Sequence, residues 1–182
     1  RASGTYECGA ATRGDGVGGM KEGRSQQTDT PLKRDNRPVN EFVAGFIGYP
    51  SMNFVQGTVV ADGGGILFDE GSLRLPLPKE HHEALKDHIG KEVTLGIRPE
   101  DIHDPETMSR GVEAVEIEAR VEVVEPMGNE VFLYLTTGKS SFVARVDPLQ
   151  IPTVEQHVRL AVEIGKAHFF DCETKISLLR RE

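Results

Sequence analysis

From Gly57 to its carboxyl end the chain is a succession of short alternating segments broken by tight-turn residues, a pattern that few architectures accommodate. Val112 to Val124 is the clearest segment: Val, Ala and Ile alternate with Glu and Arg, which predicts a long strand with one buried and one charged face. Shorter strands are expected at Gly57–Ala61, Ile66–Phe68, Leu73–Leu75, Val93–Ile97, Val131–Leu135, Ser141–Val146, His157–Ile164, Ala167–Phe170 and Ile176–Leu179. The runs AspGlyGlyGly (62–65), AspGluGlySer (69–72) and ThrThrGlyLysSer (136–140) supply hairpin turns between them. One good helix candidate interrupts the series, KEHHEALKDHIG at 79–90, opened by Pro78 and ended by Gly90. Many short strands with few helices indicate a mainly β fold, a barrel or sandwich rather than a βαβ sheet.

Ahead of this region, FVAGFIGYPSMNF at 42–54 marks a junction. Phe42, Val43, Phe46 and Ile47 fall on one helical face, and Pro38 is expected to preset the first helical turn. Gly48 is suited to a left-handed cap, and Pro50 stops the helix before the alternating pattern begins. Seven glycines and almost no large apolar residues make the first thirty residues poor in buriable surface, so irregular, flexible chain is expected there.

Four ordered blocks carry a resemblance: the junction at 42–54, LGIRPEDI at 95–102, VVEPMGNE at 123–130 and HFFDCET at 168–174. From about Pro38 to its end the chain resembles the region carboxy-terminal to the nucleotide-binding domain in ATPase subunits of ABC-type sugar importers, the maltose and multiple-sugar family. The resemblance implies a carboxy-terminal regulatory region, an OB-like β-barrel with one or two short helices. Residues 1–37 would then be a degenerate or truncated end of the ATPase domain, 38–54 a linker helix and turn, and 55–182 the regulatory β-domain. MKEGRSQQTDTP at 20–31 is similar to the last strand and turn of such an ATPase. Further upstream the match fades, and Thr5 stands where the family carries a switch histidine. Implied partners are a second copy of the chain, membrane permease subunits reached through the ATPase domain, and a cytoplasmic regulatory protein. The implied place is the cytoplasm, peripheral at the inner face of the membrane, with ATP and magnesium belonging to the parent ATPase domain and no cofactor to this fragment.

Composition narrows the alternatives. No apolar run approaches the ~20 residues of a membrane span, and Arg1 to Met20 lacks the apolar core of a secretory signal. Cys8 and Cys172 sit in unrelated contexts and suggest no disulfide framework. Net charge is −8, and residues 41–182 carry fourteen Lys or Arg against twenty-four Asp or Glu. An acidic barrel without an aromatic stacking platform ranks nucleic-acid binding last, behind a sugar or oxyanion module and a regulatory, dimerising one.

Two local matches to nucleotide sites are better read as turns. GlyLysSer at 138–140 lacks a glycine at 133, where Leu stands, and SFVARV after it predicts a strand rather than the helix a phosphate loop opens. GILFDE at 65–70 mimics a magnesium-holding strand, but no LSGGQ-like segment exists and the order of an ABC ATPase would be inverted, so Asp69 and Glu70 are expected in a turn. Such a fragment is not expected to hydrolyse ATP. His81, His82 and His88 lack the i, i+4 ligand spacing of a helical metal site, Leu85 standing where the partner of His81 would be, and are expected on a solvated face. His168 is expected to fix a strand end.

The strongest polar groupings are two corners. Pro99 keeps Arg98 extended, and Glu100 and Asp101 stand where they can cap a turn or pair with Arg98. Glu125 and Glu130 flank a turn made by Pro126 and Gly128. The resemblance implies that these corners and the junction shape a regulatory surface, with Gly45, Gly48, Pro50, Asn53, Arg98, Pro99, Glu100, Asp101, Glu125, Gly128 and Glu130 as its residues.

Overall fold

The computed structural model describes residues 8–13, 16–21, 24–29, 38–46, 48–108, 111–147 and 151–179. Strands β1 (Cys8–Arg13), β2 (Gly16–Lys21) and β3 (Arg24–Asp29) form an antiparallel meander. Irregular chain was expected here; glycine weakens a strand but leaves its backbone donors and acceptors intact, and those carry the pairing. Thr5 and residues 30–37, where the turn ending the 20–31 segment was expected to close, lie outside the described residues.

Helix α1 runs from Glu41 to Phe46. Its start is set by Asn40, whose Oδ1 accepts the Val43 N–H at 2.9 Å. Pro38 is buried three residues before the helix and therefore does not open it, a correction to the sequence expectation. Val43 and Ala44 are fully buried on its inner face; Ile47 and the side chain of Phe46 lie outside the described residues. Gly48 comes next with a φ of 101°, the left-handed backbone expected of it.

The remaining elements are β4 (Asn53–Asp62), β5 (Gly65–Asp69), β6 (Arg74–Pro76), α2 (Lys79–Leu85), β7 (Glu92–Ile97), β8 (Ile102–His103), β9 (Val115–Met127), β10 (Glu130–Thr136), β11 (Ser141–Val146), β12 (His157–Val162) and β13 (His168–Asp171). Short 3₁₀ turns stand at Lys86–His88, Pro99–Asp101 and Ile164–Lys166. The expected strand at 176–179 is not one: Ile176 and Ser177 make single bridges to Asn40 and Phe170. One sheet has the order β13-β7-β4-β5-β6 and the other β11-β10-β9-β12-β8, with antiparallel neighbours throughout.

Both sheets face one core. Val59, Phe68 and Leu95 from the first meet Val121, Leu133 and Leu135 from the second, with Phe169 packed edge-on against Phe68. Strand β9 is long enough to span both neighbours: Arg120–Met127 pairs with β10 and Val115–Arg120 with β12, and a bulge near Leu135 bends the sheet. This is the mainly β, barrel-like fold that the strand pattern and the resemblance predicted, with two short α-helices among the described residues.

On the opposite face of β7 and β13, α1 and the junction form a second small cluster of Ala44, Met52 and Phe170, with Phe54 against it. Successive residues of β13 thus serve different layers, Phe169 the main core and Phe170 the junction. Gly96 makes this possible, because a Cβ there would stand 2.7 Å from Met52 Sδ and 2.9 Å from Phe170 Cε2.

The turn expectations hold. Thr136 and Ser141 close the β10–β11 hairpin over GlyLysSer, and a strand begins just after Lys139. Asp69 Oδ1 and Glu70 Oε2 accept the N–H groups of Gly71 and Ser72, as turn carboxylates do. The histidines divide: His82 bonds the Leu77 carbonyl oxygen, while His81 is buried edge-on against Phe169, centroids 5.6 Å apart. His81 was expected in solvent; the core takes the face of α2 that carries it and Leu85.

Candidate interaction surface

The junction, the ArgProGluAsp corner and the GluProMetGlyAsnGlu hairpin are far apart in sequence but meet around β10 and β11. Asn53 makes the most specific link. Its Nδ2 donates to the Val143 carbonyl oxygen at 2.8 Å and its Oδ1 accepts the Val143 N–H at 2.7 Å. One side chain of β4 thereby pairs with the edge strand of the other sheet. Four residues earlier, the ring of Tyr49 stands edge-on to Phe132 of β10, centroids 6.0 Å apart. Phe132 points away from the core, yet only 3% of it is exposed, while 75% of Tyr49 is.

Gly48 ties the junction to the first corner: a Cβ on it would lie 3.3 Å from Arg98 Nη1. Arg98 and Pro99 are buried and Glu100 is half-buried, in a 3₁₀ turn that packs on β11. Asp101 was expected to cap the turn or pair with Arg98; its carboxylate instead meets Lys166 Nζ at 3.0 Å. The same ammonium lies 2.9 Å from Glu163, whose other oxygen is 2.6 Å from His103 Nε2. This chain of four side chains joins β8 to the 3₁₀ turn after β12. Burial pushes the Asp101 carboxyl up, against the pull of Lys166. For Glu163, burial also raises, but hydrogen bonds from Lys166 and His103 outweigh it and hold the carboxyl below its ordinary value. Lys166 is held above its own, since the two carboxylates outweigh its partial burial.

The second corner is the tip of the β9–β10 hairpin, with Gly128 at φ 70°. Its two glutamates are both engaged. Glu125 accepts the Tyr134 hydroxyl at 2.8 Å, which raises the phenol pKa because ionisation would lose that bond and set two negative charges together. Glu130 accepts from Arg145 Nη1 of β11 at 3.2 Å. Register places Phe132 opposite Arg145 and Tyr134 opposite Val143 and Val123. The outer face of β9–β10–β11 therefore carries Tyr49, Val123, Tyr134 and Arg145 together, rimmed by Glu125 and Glu130. Val123 is half exposed.

Gly45 and Pro50 complete the expected set: a Cβ on Gly45 would press on Phe54 at 3.0 Å, and Pro50 is half-buried in the turn. Sequence reasoning missed Tyr49, Phe132, Tyr134, Arg145 and the His103–Glu163–Lys166 chain. The aromatic pair had a signal, since Phe132 and Tyr134 occupy the outward positions of an alternating strand, where polar residues are usual. The charge chain had none, because it joins residues sixty positions apart.

With this geometry in view, the chain matches the family model of the MalK OB fold domain over residues 48–102 and that of the TOBE domain over 95–170. This chain belongs to that MalK-type OB and TOBE family. The two matches meet at LGIRPEDI, the segment that ends β7 and forms the first corner. Similar curated proteins include the oligosaccharides import ATP-binding protein MsmX of Bacillus subtilis, 39% identical over 87% of this chain and 43% of its own. The multiple sugar-binding transport ATP-binding protein MsmK of Streptococcus mutans is 38% identical over 90% and 43%. The osmoprotective compounds uptake ATP-binding protein GgtA of Synechocystis is 36% identical over 93% and 46%. The MalK-type chain thus spans under half the length of these relatives.

Proposed function

We propose that this MalK-type module is the regulatory and dimerising part of the ATP-binding subunit of an ABC carbohydrate importer. The observation that carries the reading is the pair of consecutive family matches, which together run from residue 48 to residue 170, from the turn after α1 through nearly all of the two sheets built from β4 to β13. The outer face supports it: an exposed aromatic and apolar patch beside the segment by which the chain enters is suited to holding a neighbour. In this reading the parent subunit hydrolyses ATP through a domain outside this chain, and the module keeps two subunits together while nucleotide opens and closes them. The permease subunits are met through that other domain, at the inner face of the membrane. A cytoplasmic regulator of sugar status would find its docking surface on the barrel. Among the described residues no helix is long and apolar enough to cross a membrane.

Uptake of radiolabelled oligosaccharide tests the proposal. A strain lacking its importer ATPase should regain uptake with the full-length subunit and lose most of it when the module is deleted after Phe46. Full uptake without the module would remove its role in holding the subunits together.

A further inference from the structure

Val143 lies in β11, the outermost strand of its sheet, so its N–H and C=O need a partner that no strand supplies. The Asn53 carboxamide turns one N–H and its oxygen toward Val143, the same donor and acceptor a neighbouring peptide would offer, and makes both bonds. Only 7% of Asn53 is exposed, so loss of the amide would leave two edge groups without water's full compensation. Asp could keep only the bond from the Val143 N–H, and Leu neither. The same short segment packs at two further points, where the Arg98 guanidinium lies close over Gly48 and Tyr49 stands edge-on to Phe132. Its other end is pinned by Met52 and Phe54, which pack with Ala44 of α1.

We propose that Asn53 is a positioning residue that locks the entry segment to the β10–β11 hairpin, so that displacement of α1 is delivered to the outer face instead of being absorbed in the turn. The junction is then a rigid splice, not a tether. A tether would need a loop with few buried contacts, whereas these residues touch both sheets. The splice belongs to the mechanics of the single chain and holds whether or not two copies associate.

Native-state amide exchange measured by NMR, residue by residue, tests it. Asn53→Leu should speed exchange of the Val143 amide about tenfold relative to Leu160 in β12, and Asn53→Asp, which keeps that acceptor, should speed it less. If Asn53→Leu does not fold, Asn53→Asp is read alone, with any selective gain at Val143 counting in favour. Transmission is tested from the far end. Asn40→Ala removes the cap of α1, yet it should raise Val143 exchange severalfold while Leu160 is unchanged. A purely structural Asn53 would leave Val143 indifferent to Asn40. Val143 exchange that stays at the wild-type rate in Asn40→Ala, or that rises only in step with Leu160, overturns the inference.

Discussion

Replacing Gly96 with alanine should destabilise the module by about 2 kcal/mol. A Cβ there would lie 2.7 Å from Met52 Sδ and 2.9 Å from Phe170 Cε2, both inside ordinary contact distance, and 3.5 Å from Phe54 Cε1. Phe170 is fully buried and Met52 3% exposed, so neither can swing into solvent. Two contacts under 3.0 Å put the overpacking cost near the upper end of roughly 1–3 kcal/mol, and the entropy that alanine removes from the unfolded chain returns about 0.4–1, which leaves about 2. The net loss corresponds to a Tm about 4–8 °C lower for a domain of this size. Gly57→Ala should be worse, because its Cβ would also meet the backbone oxygen of Asp69 at 2.8 Å, and relief would break the β4–β5 ladder. Gly63→Ala meets no neighbouring atom and should cost only the strain of its positive φ. Urea and thermal denaturation of the three variants rank them. Gly96→Ala with a Tm within about 1 °C of the parent would refute the packing argument, since the layer between α1 and β7 would then be loose.

The charged groups give two further outcomes. Lys166→Met leaves Asp101 and Glu163 facing each other in a partly buried site; since Lys166 is 56% exposed, the loss near neutrality should be modest, about 1–2 kcal/mol. Glu163 has a folded pKa below its ordinary 4.5, so its stabilisation is present above that pH and lost as pH falls through the folded value; Asp101, raised above 3.8, acts with the opposite sign and is relieved on acidification. The difference between parent and Lys166→Met should therefore shrink as pH drops below about 4.5, and a difference constant with pH in denaturant titrations would contradict the assignment. On the outer face, Glu125→Gln should move the Tyr134 phenol back toward 10.0, read from tyrosine-selective NMR during alkaline titration. An unmoved resonance would mean the hydroxyl has another acceptor.

The strands were legible because their pattern is local. Ser141–Val146 alternates cleanly and its bounds match to the residue, and β9 needed only a shift of its bounds, since its apolar period continues into the bulge. His81 was misplaced for a long-range reason: a histidine suits a solvated helix face by composition, and only the arrival of Phe169 from 88 residues on makes it core. The sequence flagged Asn53 through its motif but held no hint that its amide would meet Val143. Asp101 likewise was assigned to the nearest cation in sequence, whereas the nearest in space is Lys166. Local propensity reports turns and periods; the partner across a barrel is a property of closure.

In the proposed function the outer face of the module grips a second copy of itself. Light scattering of the purified chain across a concentration series measures that directly. A mass twice the 20.0 kDa of one chain, reverting toward one when Tyr49 and Val123 are both replaced by aspartate, is the predicted result. A mass of one chain at the highest concentration would contradict it.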